Sequence, residues 1–499
     1  MAEVIDTDAV ITPRVAVIGS GFAGLGVAVA LERAGITDIV ILERADDVGG
    51  VWRDNGYPGA ACDVQSHLYS FSFAPNTEWQ NMFAGQREIL EYLHRITDDF
   101  GLRQRLRLNC AVHEIRWDAE ASRWQLRTNR GNVVAEHVVI ATGALADPVI
   151  PDLPGRDRFD GTMFHSARWD HSFDPRGKRV AVVGTGASAI QFVPAIQPLV
   201  EQLTVFQRTA PWVLPRHDRP IGHRERAALR AVPLLQKAMR LRIYLERELT
   251  LLGFRHPVLM MLAERKARGH LRQQVSDDAL RAKLSPDYRL GCKRVLISND
   301  YLPALDAPNA EVVTTGVREL TTNGVIDDDG VEHPVDAVIF GTGFKTERLP
   351  LTDHIYGPRG ATMAESWGQS PRAHLGTTVT GFPNMYLMHG PNIAVGHTSV
   401  LMMFESQINY IVAAVRYCDE HGISEIEPTA DAQERFSQLV DRLTLGSVWT
   451  SGGCSSWYLD PSGRNSNLWP GSTFAYRRMA RRFRISEHVL RTASKELVA

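Results

Sequence analysis

Two ionic residues stand at matched places in this chain and demand opposite chemistry. From Arg14 the sequence reads "RVAVIGSGFAGLGVAVALERAGITDIVILERA", with Gly19, Gly21 and Gly24 as GxGxxG and Glu43 closing the second apolar run. From Arg179 it reads "RVAVVGTGASAIQFVPAIQPLVEQLTVFQRT", with Gly184, Gly186 and Ala189 as GxGxxA and Arg208 at the same offset. A carboxylate there accepts hydrogen bonds from ribose hydroxyls and repels a 2′-phosphate. A guanidinium binds that phosphate through charge-assisted hydrogen bonds worth ~1.5–3 kcal/mol each. The first unit therefore suits an adenosine with a free ribose, such as FAD, and the second suits NADP. Thr185, Ser188 and Gln191 flank the second turn and are expected to face NADP, with Thr209 adding a hydroxyl beside Arg208.

Positioning those residues requires a strand, a tight turn, a helix and a second strand, twice over. In each turn the first glycine permits the sharp reversal and the second lets a pyrophosphate approach the backbone. The third position, Gly or Ala, lets the helix pack closely on the strand. Two further segments, "HVVIATGALADP" (His137–Pro148) and "DAVIFGTGFKTE" (Asp336–Glu347), repeat an apolar strand followed by Thr-Gly. Each would carry the chain from one nucleotide unit into the other. The expected fold is α/β, with two Rossmann-like domains, the NADP domain inserted in the FAD domain. The division expected is FAD-binding over 1–150, NADP-binding over 151–222, a helical insertion over 223–284, NADP-binding again over 285–340, and FAD-binding with the C-terminal region over 341–499. The insertion is helical by period and basic on its polar face, which reads as a solvated surface covering part of the cleft.

Composition narrows the partners. At 499 residues, with 44% apolar and 22% charged residues, the chain has the balance of a globular enzyme of about three domains. A net charge of -2 argues against nucleic acid or an anionic membrane as the main partner. The five cysteines, Cys62, Cys110, Cys292, Cys418 and Cys454, form no CxxC pair, so neither a disulfide framework nor a metal site is expected. The acidic N-terminal stretch lacks a signal-peptide core, and "LTLLGFRHPVLMMLAE" is broken by Arg255, His256 and Pro257, so no membrane span is expected. A cytoplasmic setting follows as the expectation.

Between the two nucleotide units lies "FDGTMFHSARWD", too rich in aromatics and charges for a buried strand and without helical period. It fits FxGxxxHxxxW followed by Pro or Asp, through Phe159, Gly161, His165, Trp169 and Asp170. A second segment, "GGVWRDNGYPGAACD", places Gly50, Trp52, Tyr57, Pro58, Gly59 and Asp63 in a second long pattern. Together these resemble the type I, FAD- and NADPH-dependent Baeyer–Villiger monooxygenases of the flavin monooxygenase superfamily, and the resemblance extends from Arg14 to about Trp457. It implies that the fingerprint segment links the two domains, with His165 and Trp169 anchoring a hinge.

The reaction implied by the resemblance begins with hydride transfer from NADPH to FAD. The reduced flavin then takes up O₂ as a C4a-peroxide, which attacks a ketone, and a carbon migrates to give an ester or lactone. A fixed cation that does not donate its proton is the natural stabiliser of the anions formed, and arginine is suited to it. In "GCKRVLISNDYLPAL" the resemblance assigns that role to Arg294, with Asp63 orienting it. Lys293 with Arg208 would bracket the 2′-phosphate. Trp52, Tyr69 and Val112 would lie on the flavin side, and Trp457 would contact NADP, although the residues after it depart from the commonest family pattern. The apolar stretch Met388–Ile411 resembles the segment that lines the substrate pocket, implying an uncharged organic substrate. Oxygenation of nitrogen or sulfur, or a non-oxygenating NADPH:flavin reductase, stays open at this point, since the scaffold is shared.

Overall fold

In the computed structural model, residues 10–346 and 349–492 are described; Glu347, the last residue of the second Thr-Gly segment, lies outside them. Two five-stranded parallel sheets organise the chain. The first has the order Met385–Leu387, His137–Ile140, Val15–Ile18, Ile39–Leu42, Leu106–Arg107. The second has the order Ala310–Val313, Gln202–Phe206, Arg179–Val183, Ala337–Phe340, Thr162–His165. Every strand of the second sheet lies in the chain between the strands His137–Ile140 and Met385–Leu387 of the first. The central strands, VAVI and RVAVV, are apolar along their length past Arg179 because both faces are covered, one by helices and the other by the antiparallel strands of 112–135 in the first sheet and 317–334 in the second.

Each glycine turn behaves as its spacing demands. Gly19 has φ +104° and Gly184 φ +107°, a backbone state that disfavours any side chain. A Cβ on Gly24 would lie 1.9 Å from the carbonyl oxygen of Gly19, so the helix Phe22–Arg33 reaches its turn only because that position is bare. Four helices fill 223–283, namely His223–Ala231, Pro233–Arg255, Pro257–Gln274 and Asp278–Lys283.

Two expectations are corrected. The stretch Thr162–His165 is a strand, paired in parallel with Ala337–Phe340 at the edge of the second sheet. An edge strand has one neighbour, which leaves room for the aromatic and polar side chains that argue against a buried strand. Gly161 is what allows the approach, since a Cβ there would stand 2.4 Å from the carbonyl oxygen of Asp336. The second correction concerns cysteine. Cys292 and Cys454 are joined in a disulfide across 162 residues, with Cα atoms 6.1 Å apart. Their spacing is silent about this because two loops distant in sequence fold side by side, with Arg289 N–H donating to the Gly452 carbonyl at 2.9 Å. Cys62, Cys110 and Cys418 are free and buried.

Candidate active site

The helices after both glycine turns begin without a side-chain cap and without an acidic residue in the first turn. Their N–H groups and dipoles are thus left for an anion. A Cβ on Gly186, Gly143 or Gly343 would meet nothing within 4 Å, so the backbone on that side of each turn is open to a ligand. Both nucleotide sites fit a pyrophosphate on these grounds.

Glu43 is buried, 4% exposed, at the end of its strand. It accepts from the N–H and hydroxyl of Ser20 at 3.0 and 2.7 Å and from Ala45 N–H at 3.0 Å, and it pairs with Arg53 Nη1 at 3.2 Å. Those four donors occupy the usual acceptor capacity of a carboxylate. A ribose hydroxyl reaches Glu43 by replacing one of them, and Arg53, which also bonds Asp54, is the one with somewhere else to go. Trp52 donates from Nε1 to the Tyr69 hydroxyl at 3.1 Å, their rings edge to face. Val112 is buried at the start of the neighbouring antiparallel strand Val112–Asp118.

On the second unit Arg208 is exposed, and its charge reaches Lys293, whose ammonium burial and Arg208 both push toward the neutral form while Asp287 opposes. Lys293 Nζ lies 5.1 Å from the Tyr288 ring centre. Thr185 donates its hydroxyl to the Thr209 carbonyl at 3.4 Å. Ser188 stands at the helix start without bonding it through its side chain, and Ala189 is fully buried there. Gln191 bonds across to the first unit: its side-chain oxygen accepts from the Tyr57 hydroxyl at 2.9 Å, and its Nε2 donates to the Ala61 carbonyl at 3.0 Å. It ties the second nucleotide unit to the segment carrying Asp63. Trp457 is 37% exposed and packs on Tyr458, ring centres 4.6 Å apart.

The fingerprint residues are packed beside the two chain crossings. Trp169 meets Phe164 edge to face at 5.0 Å and Phe192 at 5.4 Å. Phe159 is buried, and Asp170 accepts from the N–H of Ser172 at 2.9 Å in a local turn. His165 is 1% exposed, accepts at Nδ1 from Ala167 N–H at 3.1 Å and faces the Phe344 ring. Burial pushes its imidazole down to about 4. Beside it the two chain crossings pair with each other, Val149 N–H to the Gly343 carbonyl and Lys345 N–H to the Asp147 carbonyl, both at 2.9 Å.

Where these parts meet, Arg294 donates from Nε and Nη2 to one oxygen of Asp63. Burial alone would raise the Asp63 carboxyl; Arg294, and then Arg247, hold it below the usual carboxylate range. Asp63 in turn raises the Arg294 guanidinium further above its ordinary value, against the pull of burial. The arginine side chain is 42% exposed and makes no hydrogen bond from Nη1 among the described residues, so it presents a fixed charge to an open space. Arg247 comes from the helix Pro233–Arg255, where its Nε donates to the Gln65 side chain at 2.7 Å.

Comparison with known proteins gives the family of the chain. Residues 12–356 match the flavin-binding monooxygenase-like family. A Baeyer–Villiger monooxygenase of Streptomyces coelicolor is 49% identical over 97% of this chain and 94% of the relative. The chain belongs to the Baeyer–Villiger monooxygenases of that family. Another, from Pseudomonas aeruginosa, is 46% identical over 96% of this chain and 92% of its own length. Among solved structures of the same architecture, a closed cyclohexanone monooxygenase superposes with a TM-score of 0.86 at 28% identity, covering 97% of this chain and all (100%) of that one. A steroid monooxygenase bound to NADP superposes at 0.85 with 30% identity, covering 96% and 99%.

Several site residues of this Baeyer–Villiger monooxygenase escaped the sequence reading. Arg247 and Gln65 are an Arg and a Gln in stretches of unremarkable period, and only the fold brings them to Asp63. Tyr458, buried and acting on Arg294, adjoined a residue that was singled out. Arg53 sits inside the second long pattern and could have been weighed as a partner for Glu43. A groove of about 770 Å³ beside the helix Pro233–Arg255 is lined by none of the expected site residues.

Proposed function

We propose that this chain inserts one oxygen atom of O₂ beside the carbonyl of an uncharged ketone, giving an ester or lactone, with FAD and NADPH as cofactors. The balanced reaction consumes ketone, O₂, NADPH and a proton and yields ester, water and NADP⁺. FAD, reduced by NADPH, supplies the activated oxygen when bound. All other steps belong to side chains. Glu43 and the turn Gly19–Gly24 would hold FAD; Arg208, Lys293, Thr209 and the turn Gly184–Ala189 would hold NADPH. Arg294 stabilises the negative charge that develops on the carbonyl oxygen as oxygen adds, and it keeps its own proton while doing so. Asp63 fixes the direction of the guanidinium. The Arg294–Asp63 pair carries this reading, because a non-donating cation suits attack on a carbonyl better than transfer to nitrogen or sulfur. The domain division of 1–150, 151–222, 223–284, 285–340 and 341–499 accompanies the proposal, as does the cytoplasm, where NADPH is regenerated. The test is incubation of the purified protein with NADPH, O₂ and a panel of cyclic, aliphatic and aryl ketones. Esters or lactones with one atom from labelled O₂ are expected; NADPH consumption without them would set the reading aside.

A further inference from the structure

The helix Pro233–Arg255 is apolar on two sides. Ile243, Leu251 and Phe254 are buried against the body of the chain. Leu234, Leu241, Leu245, Leu249 and Leu252 fall within one narrow arc on the opposite side, at the spacing of a 3.6-residue helix. All five are exposed, Leu234 by 74% and Leu249 by 66%. At 1.5 Å per residue this stripe runs for about 27 Å. The next helix, Pro257–Gln274, continues it with Val258 and Leu262, exposed by 75% and 68%. Single exposed leucines are ordinary, whereas a contiguous stripe marks an interaction surface.

The stripe borders the 770 Å³ groove, whose other walls include Leu439, Leu443 and Met479. Phe474, 65% exposed, lies in the first turn of the helix Thr473–Ala480 on that far side. That helix and the turn after it carry Arg477, Arg478, Arg481 and Arg482, all exposed and none in an ion pair among the described residues. Exposed Arg242, Arg255, Arg265 and Lys266 flank the leucines, and between His223 and Gln274 Glu246 is the one exposed acid among the described residues. The near-zero net charge of the chain therefore conceals a local surface that is both leucine-rich and strongly basic.

We propose that this face docks the protein on an anionic lipid surface, leucines at the acyl boundary and arginines on lipid phosphates. No helix among the described residues is long and apolar enough to cross a membrane, so the attachment is peripheral. Charge favours lipid over a second copy, because an isologous contact through this patch would set each copy's arginines against the other's. Side-chain type favours lipid over a protein partner. The stripe is aliphatic, with Phe474 alone among its large exposed residues offering an aromatic anchor. Docking here would place the groove against the phase in which an uncharged, lipophilic ketone collects.

The experiment is vesicle flotation of the FAD-loaded protein with phosphatidylcholine alone and with an equal mixture of phosphatidylcholine and phosphatidylglycerol, at low and high salt. The protein should float with the anionic vesicles only, and high salt should release it. Arg478→Glu with Arg482→Glu should weaken binding roughly tenfold or more. Leu245→Glu with Leu249→Glu should leave the protein with the unbound fraction. Both variants should keep wild-type FAD content and activity on a water-soluble ketone, which separates loss of docking from loss of fold. Absence of wild-type flotation, equal binding to neutral vesicles, or variants that float like wild type would overturn the proposal. So would a dimer in solution that the leucine variant abolishes while vesicles go unbound, since the second copy would then be the occupant.

Discussion

Arg294 and Asp63, 231 residues apart in the chain, meet through two guanidinium nitrogens on a single carboxylate oxygen. Such a contact sets the direction of the guanidinium as well as its charge, because the planar fork can be held from one edge while the other stays available. The aspartate comes from the segment that follows the first nucleotide turn, and the arginine from the loop tied by Cys292 to Cys454. Neither nucleotide unit contains the pair by itself. The relationship between the two units therefore sets the geometry of this pair.

Cofactor choice should rest on Arg208. Arg208→Glu is expected to raise KM for NADPH by on the order of tenfold or more, the loss of one charge-assisted contact and its replacement by repulsion. KM for NADH should change little. Steady-state kinetics with both nucleotides checks this, and a parallel rise for NADH would point to a damaged fold.

The two nucleotide turns predict a split between folding and binding. Gly24→Ala puts a Cβ into the Gly19 carbonyl, which should cost at least about 2 kcal/mol of stability and lower FAD content. Gly186→Ala meets nothing in the protein. It should fold and hold FAD normally, yet bind NADPH weakly, because its methyl would occupy the path of the pyrophosphate. Melting temperature, flavin absorbance and nucleotide titration on the two variants separate the effects.

Trp169 wedges between Phe164 and Phe192 beside the paired crossings, and its ring contacts among the described residues do not reach Arg294 or Asp63. Trp169→Ala should leave FAD bound while turnover slows and reducing equivalents escape as hydrogen peroxide. Comparing ester formed with NADPH consumed measures this; full coupling would reduce the segment to an inert connection.

Buried histidines set the response to acid. Burial lowers His137 to about 3 and both His165 and His488 to about 4, so in the folded chain they are neutral where unfolded histidine takes a proton. Protons then bind the unfolded state first. Stability is fully present above the unfolded value near 6.5 and falls as pH drops toward the folded values, by up to about 1.4 kcal/mol per unit for each group. Melting temperature should therefore fall between about pH 7.5 and about pH 5.5. His165→Phe should flatten part of that fall.

The parts legible in the sequence are those whose cause is local. A glycine that must adopt positive φ, an apolar run that must be covered on both faces, and a charge at a strand end each depend on near neighbours. Hence Gly19, Gly184, Glu43 and Arg208 stood out. Cys292 and Cys454, Arg247 and Gln65, and the turning of Gln191 toward Tyr57 depend on loops brought together from far apart, which no spacing records. Thr162–His165 failed differently: its composition excluded a central strand, and an edge position was not weighed.

The central claim is that Arg294, aimed by Asp63, serves the oxygen-insertion step and little else. Removing one preorganised stabiliser of this kind costs about 10²–10³ in rate. Arg294→Ala should bind FAD and NADPH and reduce its flavin at close to the wild-type rate, yet form almost no ester. Arg294→Lys should recover only part of the activity, and Asp63→Ala should show a milder form of the same defect. Stopped-flow reduction combined with product analysis on the three variants reads each step separately. Normal reduction with lost ester supports the account; normal ester yield from Arg294→Ala contradicts it.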